Sequence, residues 1–104
     1  MPPSPVSLKD LYSSGKLVLS FELFPPKTDE AMETLFVQLQ ELASCNPSFI
    51  TCTYGAGGST RARTLEVLQR VMRLYPHLPV ASHLTCVGAT VEELCTYLRN
   101  AVEQ

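Results

Sequence analysis

An α/β fold of parallel strands in the order βαβαβα is what this sequence predicts, and three observations predict it. Strand-like runs alternate with amphipathic helical stretches through short connections, which implies a parallel sheet with right-handed crossovers. The unit repeats at a near-constant period: Glu22 to Thr53 is 31 residues and Thr53 to His83 is 30. Each strand has one mostly apolar face, and the other face turns polar toward its C-terminal end. A doubly wound sheet is covered by helices on both sides and reads apolar on both faces. A barrel carries helices only outside and opens its active site at the C-terminal ends of its strands. The parity therefore selects a (β/α)8 barrel of the TIM type. A complete barrel takes about 250 residues. These 104 residues are expected to supply only the first three βα units and to leave the last strand with an open edge.

The elements follow in order. Residues 1–14 read as an extension, Pro-rich at first, with a short helix or turn from Ser7 to Ser14; residues 15–104 are the barrel portion. The first strand is Leu17–Phe24, with Leu17, Leu19, Phe21 and Leu23 on one face and Val18, Ser20 and Glu22 on the other, closed by Pro25-Pro26. Thr28 caps a helix whose first turn carries Asp29 and Glu30, favourable against the helix dipole. Its buried stripe is Met32, Leu35, Phe36, Leu39, Leu42 and Ala43, ended by Pro47.

The second strand is Phe49–Tyr54, followed by the loop Gly55-Ala56-Gly57-Gly58. The second helix starts near Ser59 or Thr60, carries Leu65, Leu68, Met72 and Tyr75 on one stripe and stops before Pro76. Val80–Cys86 is the third strand. Thr90-Val91-Glu92-Glu93 is a capping box, and the helix it opens is expected to face Val91, Leu94, Cys95, Leu98 and Val102 inward.

Composition narrows the function classes. With 8 Lys+Arg against 10 Asp+Glu the net charge is −2, which gives no basic footprint for nucleic acid or anionic membrane. Hydrophobic residues at 45% and charged residues at 17% suit one globular unit. No apolar run approaches the ~20 residues of a membrane span, and Met-Pro-Pro-Ser-Pro has no signal-peptide pattern. A cytoplasmic protein is expected. Cys45, Cys52, Cys86 and Cys95, separated by 7, 34 and 9 positions, match no zinc spacing and are expected to be reduced thiols. Cys52 and Cys86 are expected to act as small core residues within strands.

Glu22, Thr53 and His83 fall at equivalent places on three consecutive strands and would sit side by side at a barrel mouth. Glu22, flanked by Phe21, Leu23 and Phe24, is expected to be desolvated, which raises its pKa and lets it act as a general acid. The plainer alternative is a partly exposed carboxylate before a turn. For His83 the plainer alternative is a hydrogen-bonded core histidine, and Thr53 alone is an ordinary strand-end hydroxyl. No metal is expected, since only Glu22 and His83 converge and His77 lies before Pro79. The glycine loop follows a strand and opens a helix, so its amides suit a phosphate. However, Thr60 stands where the dinucleotide fingerprint has its third Gly. A generic nucleotide-binding module rests on that imperfect loop alone.

Ser20-Phe21-Glu22-Leu23-Phe24-Pro25-Pro26-Lys27-Thr28 closely resembles the opening strand motif of the methylenetetrahydrofolate reductase family. Thr53-Tyr54-Gly55-Ala56 and His83-Leu84-Thr85-Cys86 resemble that family's next two strand-end motifs, in order and at the right spacing. The resemblance covers about residues 15–104. It implies a flavin-dependent (β/α)8 barrel that reduces 5,10-methylenetetrahydrofolate to 5-methyltetrahydrofolate, with FAD as carrier and NADH or NADPH as hydride source, in one-carbon metabolism and methionine synthesis. By position it implies Glu22 as the general acid that opens the folate ring, Thr53 as a substrate contact, and Tyr54, Ala56 and His83 as FAD contacts. It also implies a homo-oligomer in the full-length form. Gly57-Gly58 stands where bacterial members often carry Asn and Ser. The alternative is a truncated, catalytically inactive piece of such an enzyme that acts only with a partner.

Overall fold

A computed structural model describes residues 6–54 and 61–103 of the chain, with the Arg61 side chain excluded. The elements are α1 (Leu8–Ser13), β1 (Ser20–Leu23), α2 (Asp29–Ser44), β2 (Phe49–Cys52), α3 (Arg61–Leu74), β3 (Val80–Ser82) and α4 (Val91–Glu103). The strands form one sheet in the order β1-β2-β3, and both pairings are parallel. Parallel neighbours joined through helices are the arrangement the alternating pattern predicts. The glycine loop and the start of the second helix at Ser59 or Thr60 lie outside the described residues.

Two helix starts follow from their sequence. The Thr28 hydroxyl accepts from the Ala31 amide at 3.1 Å and caps α2. At α4 the capping box closes both ways: the Glu93 amide donates to Thr90 Oγ1 at 3.1 Å, and the Thr90 amide donates to Glu93 Oε2 at 2.9 Å. Helix α2 ends at Ser44, and two residues on, past the Cys45 cap, the φ of 52° at Asn46 turns the chain into the left-handed region that asparagine tolerates.

The strands are shorter than the sequence suggests, because each runs only as far as it has a partner. Leu17 and Val18 precede the first β2 residue that pairs, Phe49 opposite Ser20, and Leu17 is 93% exposed. Strand β3 stops at Ser82, opposite Cys52; the His83 amide adds one more bond to the Cys52 carbonyl at 3.0 Å. Leu84 and Cys86 are consequently exposed, so Cys86 is not a core residue.

The core lies between the sheet and its first two crossover helices: Leu23, Ile50 and Cys52 from the strands meet Met32, Phe36 and Leu39 of α2 and Val67, Leu68 and Val71 of α3. Leu35 and Leu42 are partly buried at its margin, as the α2 stripe predicts. On α3 the fully buried stripe is Thr64, Val67, Leu68 and Val71, one step round from the expected one, of which Leu68 is buried, Leu65 and Tyr75 partly buried, and Met72 37% exposed. On α4 most of the expectation is overturned: Tyr97 is buried and Leu94 partly buried, whereas Val91, Leu98, Val102 and Cys95 face solvent. No helix among the described residues is long and apolar enough to cross a membrane.

Candidate active site at the strand ends

The ladder register sets the heights of the candidate side chains. Glu22 pairs with Thr51, and Leu23 with Cys52; Cys52 in turn pairs with Ser82. Thr53 and His83 each follow a member of that last pair, so they share one level. Glu22 lies two residues lower than the equivalent place expected for it. The carboxylate and the imidazole nevertheless meet. His83 Nε2 stands 3.2 Å from Glu22 Oε1, although their strands flank β2 and are therefore separated by about 9.6 Å of backbone, two strand spacings. Strand parity permits this, since Glu22, Thr51 and Ala81 share one face of the sheet and His83 continues the Ala81 parity.

The expected desolvation of Glu22 is not present. Its side chain is 50% exposed, and that of His83 47%. The apolar neighbours explain why: Leu23 turns into the core on the opposite face, and Phe24 is itself exposed beyond the strand. Below the pair, on the helix side of the sheet, burial pushes the Cys52 thiol up to about 12, and the nearby Glu22 charge adds to the rise. Cys52 is therefore a core thiol and no nucleophile.

Thr53 is held from two sides. Its amide donates to the Leu23 carbonyl at 2.9 Å, and its carbonyl accepts from the Thr64 hydroxyl at 2.9 Å. Thr64 is fully buried. Sequence reading missed it, although its spacing to Val67, Leu68 and Val71 marks it as the polar member of an apolar stripe. Tyr97 was missed as well. Its ring meets Tyr54 edge to face, with centroids 5.5 Å apart and planes at 87°, and its hydroxyl lies 3.0 Å from Ser82 Oγ. Tyr54, partly buried, is thereby tied to the end of β3 through α4. Ala56 lies outside the described residues. A groove of about 590 Å³ runs between α3 and α4, lined among others by Ala62, Leu65, Glu93 and Tyr97; it includes neither Glu22 nor His83. Among the described residues no group of three or more metal-ligating side chains comes together.

Parallel βα units with an acid and an imidazole meeting at the C-terminal strand ends place the chain in a class: the opening units of an enzyme of the (β/α)8 type. Comparison with known proteins supplies the particular family. The family model described as methylenetetrahydrofolate reductase matches residues 7–104. The chain is 38% identical over 87 residues to methylenetetrahydrofolate reductase (NADH) 1 of Arabidopsis thaliana, a match covering 84% of this chain and 14% of the relative. It is 41% identical over 86 residues to the 5,10-methylenetetrahydrofolate reductase of Salmonella typhimurium, and 40% identical over 86 residues to that of Escherichia coli. Each of these bacterial matches covers 83% of this chain and 29% of the relative. The chain belongs to the methylenetetrahydrofolate reductase family. It spans less than a third of the length of these relatives.

Proposed function

We propose that this chain carries the proton-donating corner of a reductase that converts 5,10-methylenetetrahydrofolate to 5-methyltetrahydrofolate, with FAD as carrier and NADH or NADPH as hydride source, as a homo-oligomer in its full-length form. The observation that most supports this reading is the 3.2 Å approach of His83 Nε2 to Glu22 Oε1 at the strand ends. The half-exposed His83 imidazole suits a polar contact to a flat heteroaromatic ring, while the partly buried Tyr54 ring, turned to Tyr97, backs the strand end from the helix side. When bound there, the flavin supplies the hydride.

The work of this chain's own side chains is positional and acidic. Glu22 holds a proton on its carboxyl and delivers it to the folate nitrogen as the ring opens. His83, beside it, fixes the direction of that carboxyl. Thr53, level with His83 and anchored by Leu23 and Thr64, contacts substrate, and Ala56 joins Tyr54 and His83 in holding FAD. Because Glu22 is half exposed, it gains the environment of a neutral acid only when ligand displaces water from the strand ends.

The test is Glu22→Gln in this chain fused to the remaining barrel of a bacterial relative. Flavin reduction by NADH should stay within about twofold, while methylenetetrahydrofolate reduction falls by about 10²-fold or more. Equal loss of both half-reactions would overturn the role of Glu22. A second reading is favoured by the exposed face of α4: alone, the chain is catalytically silent and works only with a partner. The visible spectrum of the 104-residue chain incubated with FAD separates the two, since a flavin band that bleaches with NADH supports an active site and a colourless protein supports the silent piece.

A further inference from the structure

His83 is half-exposed and lies just past the last residue of β3, where loop positions are held by fewer contacts than those inside a sheet. Its backbone is nevertheless bonded at both ends. The His83 amide donates to the Cys52 carbonyl of β2 at 3.0 Å. Its carbonyl accepts from the Ser82 hydroxyl at 2.9 Å, and Ser82 Oγ also lies 3.0 Å from the Tyr97 hydroxyl. A serine hydroxyl has one proton, so with that proton on the His83 carbonyl the Tyr97 hydroxyl is the donor to Ser82. Two hydrogen bonds in series therefore run from α4 to the peptide unit that carries the imidazole.

The same side chain reaches a second strand end. Its ring meets Tyr54 edge to face, with centroids 5.5 Å apart. Tyr54 directly follows Thr53, which is bonded through both its amide and its carbonyl. An edge-to-face pair favours an angle as well as a distance, so it orients a ring besides covering it. Tyr97 is also the buried residue of α4. A leucine there would cover the strand ends with no polar atom to satisfy, whereas a buried phenol needs a partner for its hydroxyl. The phenol is the side chain that can serve both ends at once.

We propose that Tyr97 is a positioning residue. From the helix side of the sheet it sets the His83 imidazole against Glu22 by way of Ser82, and it sets the Tyr54 ring by its own edge. The two groups that hold FAD are then in place before any ligand binds. A group already held loses less freedom on binding, so the relay strengthens the site without contacting the ligand. This role rests on the reading that His83 and Tyr54 hold FAD, and it is separate from proton delivery by Glu22.

The experiment reads the histidine ring signals of the 104-residue chain by nuclear magnetic resonance, without FAD. The chain has two histidines, and the exposed His77, in the connection from α3 to β3, is the internal reference. Tyr97→Phe should move the His83 signals and leave those of His77. Once Ser82 is replaced in Ser82→Ala, adding Tyr97→Phe should move them no further, because both substitutions cut one relay. Tyr97→Phe keeps the ring, so the Tyr54 signals should shift only in Tyr97→Leu. In this chain fused to the remaining barrel of a bacterial relative, FAD affinity read by flavin fluorescence should fall about threefold to tenfold for Tyr97→Phe and for Ser82→Ala alike. It should fall further for Tyr97→Leu. A lower urea midpoint with unmoved His83 signals would overturn the proposal, by making Tyr97 a packing residue alone. So would additive shifts in the double variant. Moved ring signals with an unchanged FAD affinity would overturn it while leaving the cofactor reading intact. A fused parent that binds no FAD would instead overturn the cofactor reading, and the purpose of Tyr97 with it.

Discussion

The β1–β2 half of this molecule and its β3–α4 half are built from the same repeat, yet only the first is packed. In the first half two helices close over two strands, and Leu39, Ile50, Cys52, Val67 and Val71 lose all contact with solvent. In the second, a helix with an apolar stripe and a complete capping box leaves Val91, Leu98 and Val102 in water and buries Leu94 only in part. Local sequence is equally good in both halves. What differs, among the described residues, is the number of strands each helix meets, so burial here is a property of neighbours and not of the helix. The candidate site sits across the division, with Glu22 in the packed half and His83 and Tyr97 in the open one.

The comparison predicts unequal costs for similar truncations. Ile50→Ala removes a fully buried side chain from the centre of the core and should cost about 2–5 kcal/mol. Val91→Ala, at 78% exposure, should change stability by no more than about 0.5 kcal/mol. Urea unfolding followed by circular dichroism measures both, and similar midpoint losses would mean that the α4 edge is covered in solution.

A smaller effect probes the seam between the halves. The Thr64 hydroxyl ties α3 to the Thr53 carbonyl at the end of β2. Thr64→Val keeps the shape, removes that donor and should cost about 1–2 kcal/mol, most of it from the carbonyl left without its buried partner. Hydrogen exchange should quicken at Thr53, whose amide donates to Leu23, more than at Ile50. Uniform loss of protection would indicate a general packing defect instead.

Much of the architecture was legible because it is periodic. Strand parity and the 30–31-residue repeat gave parallel order, and the Thr28 and Thr90 caps located two helix starts. Strand ends were less legible, since β1 and β3 extend only as far as β2 can pair with them. On α3 two overlapping stripes share Leu68, and packing against Ile50 and Cys52 selects the one containing Val67 and Val71. On α4 the more apolar stripe was readable, but among the described residues the helix meets the end of β3 through the adjacent edge, with Tyr97, and that edge is the one buried. At the site, parity brought Glu22 and His83 to one face. Their two-residue offset and the exposure of Glu22 depend on register and on what covers the strand ends, and neither is written locally. The helix residues Thr64 and Tyr97 escaped notice for the same reason.

The weakest expected effect lies on the outer rim of the packed half. Arg70 of α3 reaches α2 through two bonds, Nη1 to Glu33 Oε1 at 2.7 Å and Nη2 to Oε2 at 3.0 Å, while its guanidinium carbon lies 4.1 Å from the centre of the Phe36 ring. The hydrogen bond from Arg70, aided by its charge, holds the Glu33 carboxyl below its ordinary value of 4.5. A carboxyl that is harder to protonate folded than unfolded contributes stability above the unfolded value, and that contribution is lost as pH falls through the lower folded one. Glu33 is exposed and Arg70 partly so, so the effect is small and weakened by salt. Glu33→Gln should flatten the loss of urea midpoint between about pH 5 and 3 while keeping Arg70 over Phe36. Arg70→Met should flatten it too and also lower the midpoint at neutral pH, because it removes the ring contact with the ion pair. Equal midpoints for the two variants at neutral pH would show that the Phe36 contact contributes nothing to holding α3 against α2.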